Sequence, residues 1–236
     1  MPHPNLMKRV TQANRNYNKV FGIGYNKTGT TSLAAALALY GFNMPEQAEQ
    51  EARLTKQTFL GNYEPLRNLV NSYDAFQDLP FSQGITYIVV DVLFPNSKFI
   101  LTERDPHYWF ESMVNFHKKI FGIKDLTKLT KEDIAKQFKY LYPGYNAENT
   151  ERLLTEVDDK GSIVRWDKLY DREYYVKKYL ARNKSIKKYF LHRPQQLLVI
   201  DITKATSTAD LCKFLNIPEE YIVEMPRENV TMSLKA

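Results

Sequence analysis

The sequence predicts an α/β fold: a parallel sheet of about five strands flanked by helices, with a helical insertion in the second half. Three observations carry this. Short apolar runs alternate with segments of helical periodicity, the pattern of a parallel sheet covered on both faces. The first run passes through a glycine-bearing turn straight into a helix. Residues 130 to about 190 then read as helical throughout. With 236 residues, 43% of them hydrophobic, the chain can bury a real core.

In order along the chain, residues 1–18 form a polar N-terminal arm without the apolar run of a signal peptide. Residues 19–236 read as a single domain carrying the helical insertion at about 125–192. Lys19-Val20-Phe21-Gly22-Ile23-Gly24 is a short buried strand. Residues 30–40 follow as a helix: Leu33, Leu37 and Tyr40 share one face, and Gly41 supplies the stop. Residues 46–57 and 64–72 read as polar surface helices, and Asp74-Ala75-Phe76-Gln77-Asp78 as a second strand ended by Leu79-Pro80. Residues 86–94 are apolar and closed by the turn signal Pro95-Asn96. Lys98-Phe99-Ile100-Leu101-Thr102 is the third strand, and Pro106 opens a helix running to about residue 121. Pro143-Gly144 and Asp159-Lys160-Gly161 break the long helical stretch. Leu197-Leu198-Val199-Ile200 is the last strand and residues 208–215 the last helix.

The net charge of +6 is spread over scattered Lys and Arg, which suits a small anionic ligand better than a polynucleotide. No nucleic-acid partner is expected. Cys212 is the only cysteine, which excludes a disulfide framework and a cysteine-rich metal site, and its amphipathic surroundings read as core. No apolar stretch is long enough to cross a bilayer, and the expected location is cytoplasmic. Nothing in the pattern specifies an oligomeric state.

The segment Gly22-Ile23-Gly24-Tyr25-Asn26-Lys27-Thr28-Gly29-Thr30-Thr31-Ser32-Leu33 has the make-up of a phosphate cradle. Glycines let successive N–H groups converge on an anion, the following helix adds its positive end, and Thr30, Thr31 and Ser32 add hydroxyl donors. Gly24 and Gly29 meet the glycine spacing of the Walker A pattern, but Thr30 stands where its lysine belongs, and the lysine has moved inside the loop to Lys27. A nucleotide kinase needs that lysine on the terminal phosphates and a Ser or Thr on magnesium. The displaced cation suits a differently placed group.

Asn26-Lys27-Thr28-Gly29-Thr30-Thr31-Ser32 resembles the loop of sulfotransferases that use 3′-phosphoadenosine 5′-phosphosulfate. A second segment, residues 98–106 with Arg104-Asp105-Pro106, then Trp109 and Ser112, resembles that family's 3′-phosphate-binding segment. A third match is looser: many cytosolic members carry a catalytic His before Leu-Pro, where this chain has Asp78 before Leu79-Pro80. The spacing from Asp74 through Ser112, and the closing Met225-Pro226-Arg227-Glu228-Asn229, look closest to a bacterial-type branch; the glycine-rich C-terminal loop of cytosolic members is missing.

The resemblance implies a P-loop-type sheet and a transferase moving a sulfuryl group from 3′-phosphoadenosine 5′-phosphosulfate to an acceptor hydroxyl or amine. The product would be adenosine 3′,5′-bisphosphate, the acceptor a small molecule or glycan, and no metal is needed. It places Lys27, Thr28, Gly29, Thr30, Thr31, Ser32, Arg104 and Ser112 on the donor, Lys27 also serving catalysis, and Asp78 as the base. Asp78 has a second reading, as cap of a helix after Pro80. His107, His117 and His192 are alternative bases; Trp109 and Trp166 either stack on adenine or pack in the core, and Arg227 is a candidate to close over the phosphates. Two other functions stay open, a P-loop small-molecule kinase and a non-catalytic nucleotide-binding protein.

Overall fold

The computed structural model describes residues 4–137 and 140–226. Its regular elements in chain order are α1 (Pro4–Asn14), β1 (Val20–Gly22), α2 (Thr30–Leu39), α3 (Gln47–Phe59), α4 (Glu64–Ser72), β2 (Ala75–Phe76), α5 (Thr86–Leu93), β3 (Lys98–Thr102), α6 (Pro106–Phe121), α7 (Lys131–Gln137), α8 (Tyr145–Leu154), β4 (Thr155–Asp158), β5 (Gly161–Val164), α9 (Arg172–Tyr189), β6 (Leu197–Ile200) and α10 (Ser207–Phe214). The chain falls into two units. One runs to Arg104 and resumes at Ser185; the other is Asp105–Lys184.

The first unit is built on a four-stranded parallel sheet in the order β2-β1-β3-β6. Alternating side chains go to opposite faces, and both faces are covered. Val20, Ala75, Ile100 and Ile200 pack with Leu33, Leu37 and Tyr40 of α2 and Leu211 and Cys212 of α10. Phe21, Phe76, Phe99 and Leu101 face the other way, against Leu54 of α3, Leu66 and Val70 of α4, Tyr87 and Val90 of α5, and Ile186 of α9. The rings of Phe76 and Phe99 lie 5.4 and 5.5 Å from that of Phe21. This is the predicted α/β fold. Within the polar start, α1 buries Met7 in the first of these clusters, and Thr11 Oγ1 donates to the carbonyl of Tyr40 at 2.7 Å.

Residues 86–94 turn out to contain a helix. Thr86, Tyr87, Val90 and Asp91 are the buried positions of α5, a helical spacing hidden within an almost uniformly apolar run. The surface helix α3 turns a partly polar face inward, since Gln50, Glu51, Leu54, Thr55 and Thr58 are buried.

The second unit joins α6, α7, α8 and most of α9 with an antiparallel hairpin, β4–β5, in the stretch read as helical throughout. Asp158 pairs with Gly161, leaving Asp159-Lys160 as a two-residue turn, and Lys160 N–H donates to Asp158 Oδ1 at 2.8 Å. The β-branched Thr155, Val157, Ile163 and Val164 favour this extended form over helix.

Candidate active site

In the first unit the chain leaves β1 for β2 on one side and returns to β3 on the other. The crevice at the carboxyl ends of β1 and β3 is therefore a topological switch point, the place where open α/β sheets bind ligands. The loop after β1, Asp78 after β2 and Arg104 after β3 all lie at that edge.

The loop is held by the end of β3. Ile23 N–H donates to the carbonyl of Ile100 at 2.8 Å, carrying the pairing one residue past β1. At Gly24 a Cβ would lie 2.0 Å from Thr102 Oγ1 and 2.6 Å from the Thr102 carbonyl oxygen, so only glycine lets the chain cross here. Thr28 closes the turn by donating its N–H and its hydroxyl to the carbonyl of Tyr25. Its hydroxyl also lies 2.6 Å from that of Thr102. Thr28 has one hydroxyl proton, already given to Tyr25, so Thr102 is the donor of that pair.

Lys27 (φ 67°) and Gly29 (φ 93°) are both left-handed. Left-handed residues alternating with ordinary ones turn successive N–H groups to one side, the geometry from which anion nests are built. Gly29 also packs so closely on Ile202 that a Cβ would lie 1.9 Å from its Cδ1. The first turn of α2 contains no acidic residue, and its N-cap, Gly29, brings no side chain to cap it. The positive end of α2 is thus presented to the loop without an acid of its own helix.

The carboxylate that does reach this turn is that of Asp78. Its Oδ2 accepts from Thr30 Oγ1 at 3.1 Å and its Oδ1 from Ser82 Oγ at 3.4 Å. Asp78 is itself left-handed, with φ 60°. Burial pushes its carboxyl above the usual carboxylate range; the Thr30 hydroxyl, the Leu79 N–H, the Ser82 hydroxyl and the Lys27 ammonium oppose that shift without cancelling it. The capping alternative does not hold. Residues 80–85 are turns and a bend, and the next helix, α5, has Ile85 at its N-cap.

Arg104 lies just past β3 and is partly buried. The adjacent Glu103 is neutralised elsewhere, by Lys187 Nζ at 2.7 Å. Ser112 belongs to the second unit, on α6, whose N-cap Asp105 accepts from the N–H groups of His107 and Tyr108. In that unit His117 Nδ1 is bonded to the hydroxyl of Tyr170 at 3.0 Å, and His107 is exposed. Trp109 is core, buried with its ring stacked on Tyr179 at 4.4 Å, while Trp166 carries Lys131 Nζ 5.5 Å above its ring. His192 precedes β6 and so lies at the opposite edge of the sheet from the loop. Arg227 and the closing Glu228-Asn229 lie outside the described residues.

Thr102, Ile202 and Gln50, described below, were not singled out from sequence. A strand-ending Thr and an Ile in a loop carry no chemical signal, and Gln on a polar helix reads as a solvent face. Among the described residues, no group of three or more His, Cys, Asp or Glu is placed to hold a metal ion, and no helix is long and apolar enough to cross a membrane.

A parallel sheet with a glycine-bounded strand-to-helix loop at its switch point defines a P-loop-type α/β protein. The chain belongs to the sulfotransferase family: the family model described as a sulfotransferase domain matches residues 19–234. No curated protein matches the chain. Family membership makes the protein a transferase and sulfuryl transfer its reaction class, which leaves the kinase reading without support.

Proposed function

We propose that the protein is a cytoplasmic sulfotransferase that takes its sulfuryl group from 3′-phosphoadenosine 5′-phosphosulfate and passes it to a hydroxyl or amine of a small-molecule or glycan acceptor. The observation that carries this reading is the convergence of Lys27, the start of α2 and Asp78 at one edge of the sheet, with Asp78 bonded to Thr30 of the loop itself. A phosphate suits the loop: left-handed Lys27 and Gly29 bracket Thr28, and the uncapped start of α2 follows.

When bound, the donor supplies a sulfuryl group whose bond to a 5′-phosphate oxygen breaks as the acceptor attacks. Lys27 and the N–H groups of residues 29–32 hold the 5′-phosphate and offset the charge it gains on leaving. Arg104 takes the 3′-phosphate, to which a guanidinium donates two parallel bonds. Ser112 has the same assignment from its place in the motif alone. Asp78 takes the proton from the attacking oxygen or nitrogen. An ordinary Asp, with a pKa of about 3.9, is a weak base, and burial raises that of Asp78 in the direction the role needs. The Thr30 hydroxyl, the Leu79 N–H and the Ser82 hydroxyl occupy three of the carboxylate's roughly four lone-pair sites, which leaves capacity for a proton.

Calorimetry without divalent metal tests the donor. Adenosine 3′,5′-bisphosphate should bind clearly tighter than ADP; equal affinities would sink the assignment of the donor. Binding of the sulfate donor with no cleavage across an acceptor panel would mark a non-catalytic binder instead.

A further inference from the structure

We propose that Gln50, buried on α3, is a positioning residue that holds the Asp78 carboxylate at the phosphate loop by clamping the carbonyls of the residues on both sides of it. The inference rests on the reading of Asp78 as base for its role in transfer, and on geometry alone for the placement.

Gln50 is 2% exposed, and its Nε2 donates to two carbonyl oxygens, that of Gln77 at 2.7 Å and that of Leu79 at 2.6 Å. These carbonyls belong to the residues immediately before and after Asp78. Both partners are pure acceptors, so the side-chain amide can sit only with its nitrogen toward them. One carboxamide thus uses both of its N–H groups to turn the flanking carbonyls toward α3. That leaves Asp78 left-handed, with its carboxylate on Thr30 and Ser82.

Left-handed backbone is unfavourable for a non-glycine residue, so the conformation needs outside support. Gln50 supplies two buried hydrogen bonds for it. Its neighbours reinforce the clamp. Gln77 Nε2 donates to Gln47 Oε1 at 2.9 Å, and Gln47 Nε2 donates to Glu51 Oε1 at 2.8 Å. This relay ties the residue before Asp78 to the same helix. The inward polar side of α3 thereby has a purpose that burial alone does not give it. The charged group acting on Asp78 from the loop is Lys27, and Glu51 is the buried carboxylate of α3 nearest the clamp in the bonded chain.

The test uses the full chain with carboxyl-labelled aspartate, the Asp78 signal being assigned from Asp78→Asn. Gln50→Met keeps length and bulk but removes both donors. The expected result is that the Asp78 titration, displaced upward in the wild type, returns toward that of an ordinary carboxyl because the side chain swings toward solvent. An unchanged titration would overturn the proposal, whatever happens to the melting temperature. If Gln50→Met does not fold, Gln50→Glu is read in its place: its ionised form repels both carbonyls, and the same return is expected. Cleavage of the sulfate donor gives the second arm. Gln50→Met should lower it about as far as Asp78→Asn, and the double variant no further than either. Additive losses would overturn a role through Asp78. A silent Asp78→Asn would instead remove the base assignment, while the titration still decides the placement.

Discussion

The Thr30 hydroxyl donates to Asp78 Oδ2 at 3.1 Å, joining two residues 48 positions apart in the chain. Thr30 opens α2 and Asp78 follows β2, and the bond exists because β1 and β2 are parallel neighbours, so both strands end at the same edge. It sets a carboxylate beside the loop assigned to the donor's phosphate. Burial of the charged carboxylate costs stability, which the loop's Thr30 and Lys27 offset only in part.

Asp78→Asn keeps size and one acceptor oxygen but removes the proposed base. Turnover should fall roughly 10²–10⁴-fold. Affinity for adenosine 3′,5′-bisphosphate should hold or improve, because one negative charge leaves the anion site. A variant with near wild-type turnover and intact fold would remove Asp78 from the mechanism.

The raised Asp78 pKa also gives a stability signature. The folded protein holds this proton more tightly than the unfolded chain does. The resulting stability is fully present below the unfolded value of about 3.9 and is lost as pH rises through the higher folded value. Asn carries no such proton. The melting temperature of Asp78→Asn should therefore gain on the wild type from acid toward neutral pH; a gap that stays constant would mean Asp78 is not desolvated.

Arg104 predicts a selective loss. If it holds the 3′-phosphate, Arg104→Ala should weaken adenosine 3′,5′-bisphosphate by roughly 10- to 100-fold, the worth of a charged hydrogen-bonded contact. ADP should lose much less. Ser112→Ala, removing one neutral donor, should show the same selectivity at smaller size. Parallel losses for both nucleotides, measured by calorimetry, would place neither residue on the 3′-phosphate.

The sheet and loop were legible because their signals are local. Val20-Phe21, Phe99-Ile100-Leu101 and Leu197-Leu198 are apolar runs closed by turn residues, and the loop announces itself through Gly24, Lys27 and Gly29. The hairpin was not. Glu156, Asp158 and Ser162 interrupt it, and most of its residues are exposed, so no buried face imposes a period of two. Asp78 could be named from its place before Leu79-Pro80, but its bond to Thr30 depends on strand order, which no local pattern encodes. Gln50 lay deeper still, since only packing distinguishes a buried glutamine from one in water.

The glycines separate two kinds of constraint. In Gly24→Ala the new methyl meets the Thr102 hydroxyl and backbone, neither of which can withdraw without opening β3. Overpacking of this kind costs about 1–3 kcal/mol, and the loop should lose its anion affinity with it. Gly29→Ala meets only the end of the Ile202 side chain but must also hold φ at 93°. Adding Ile202→Ala should relieve the clash and leave the backbone term of about 1–2 kcal/mol. Chemical denaturation of the three variants checks this; full rescue by Ile202→Ala would mean that strain at Gly29 is negligible.

Lys27 combines a charge with a strained backbone, and two substitutions pull these apart. Its φ of 67° suits glycine, and its side chain is partly exposed, so little packing is lost on truncation. Lys27→Ala keeps the left-handed strain and should be close to neutral in stability. Lys27→Gly relieves that strain but frees the unfolded chain, for a net gain of up to about 1 kcal/mol. Both lose the cation assigned to the leaving phosphate, and loss of one such charge-stabilising group typically lowers the rate by roughly 10²–10³-fold or more. Both should therefore fail in transfer while diverging in denaturant midpoint, the glycine variant above the alanine. If Lys27→Gly were the more stable protein and still transferred sulfate at the wild-type rate, the charge would have to come from elsewhere in the site. If instead the two variants unfolded together, the left-handed turn at residue 27 would be held by the bonds of Thr28 to Tyr25 and Thr102, with no strain for glycine to release.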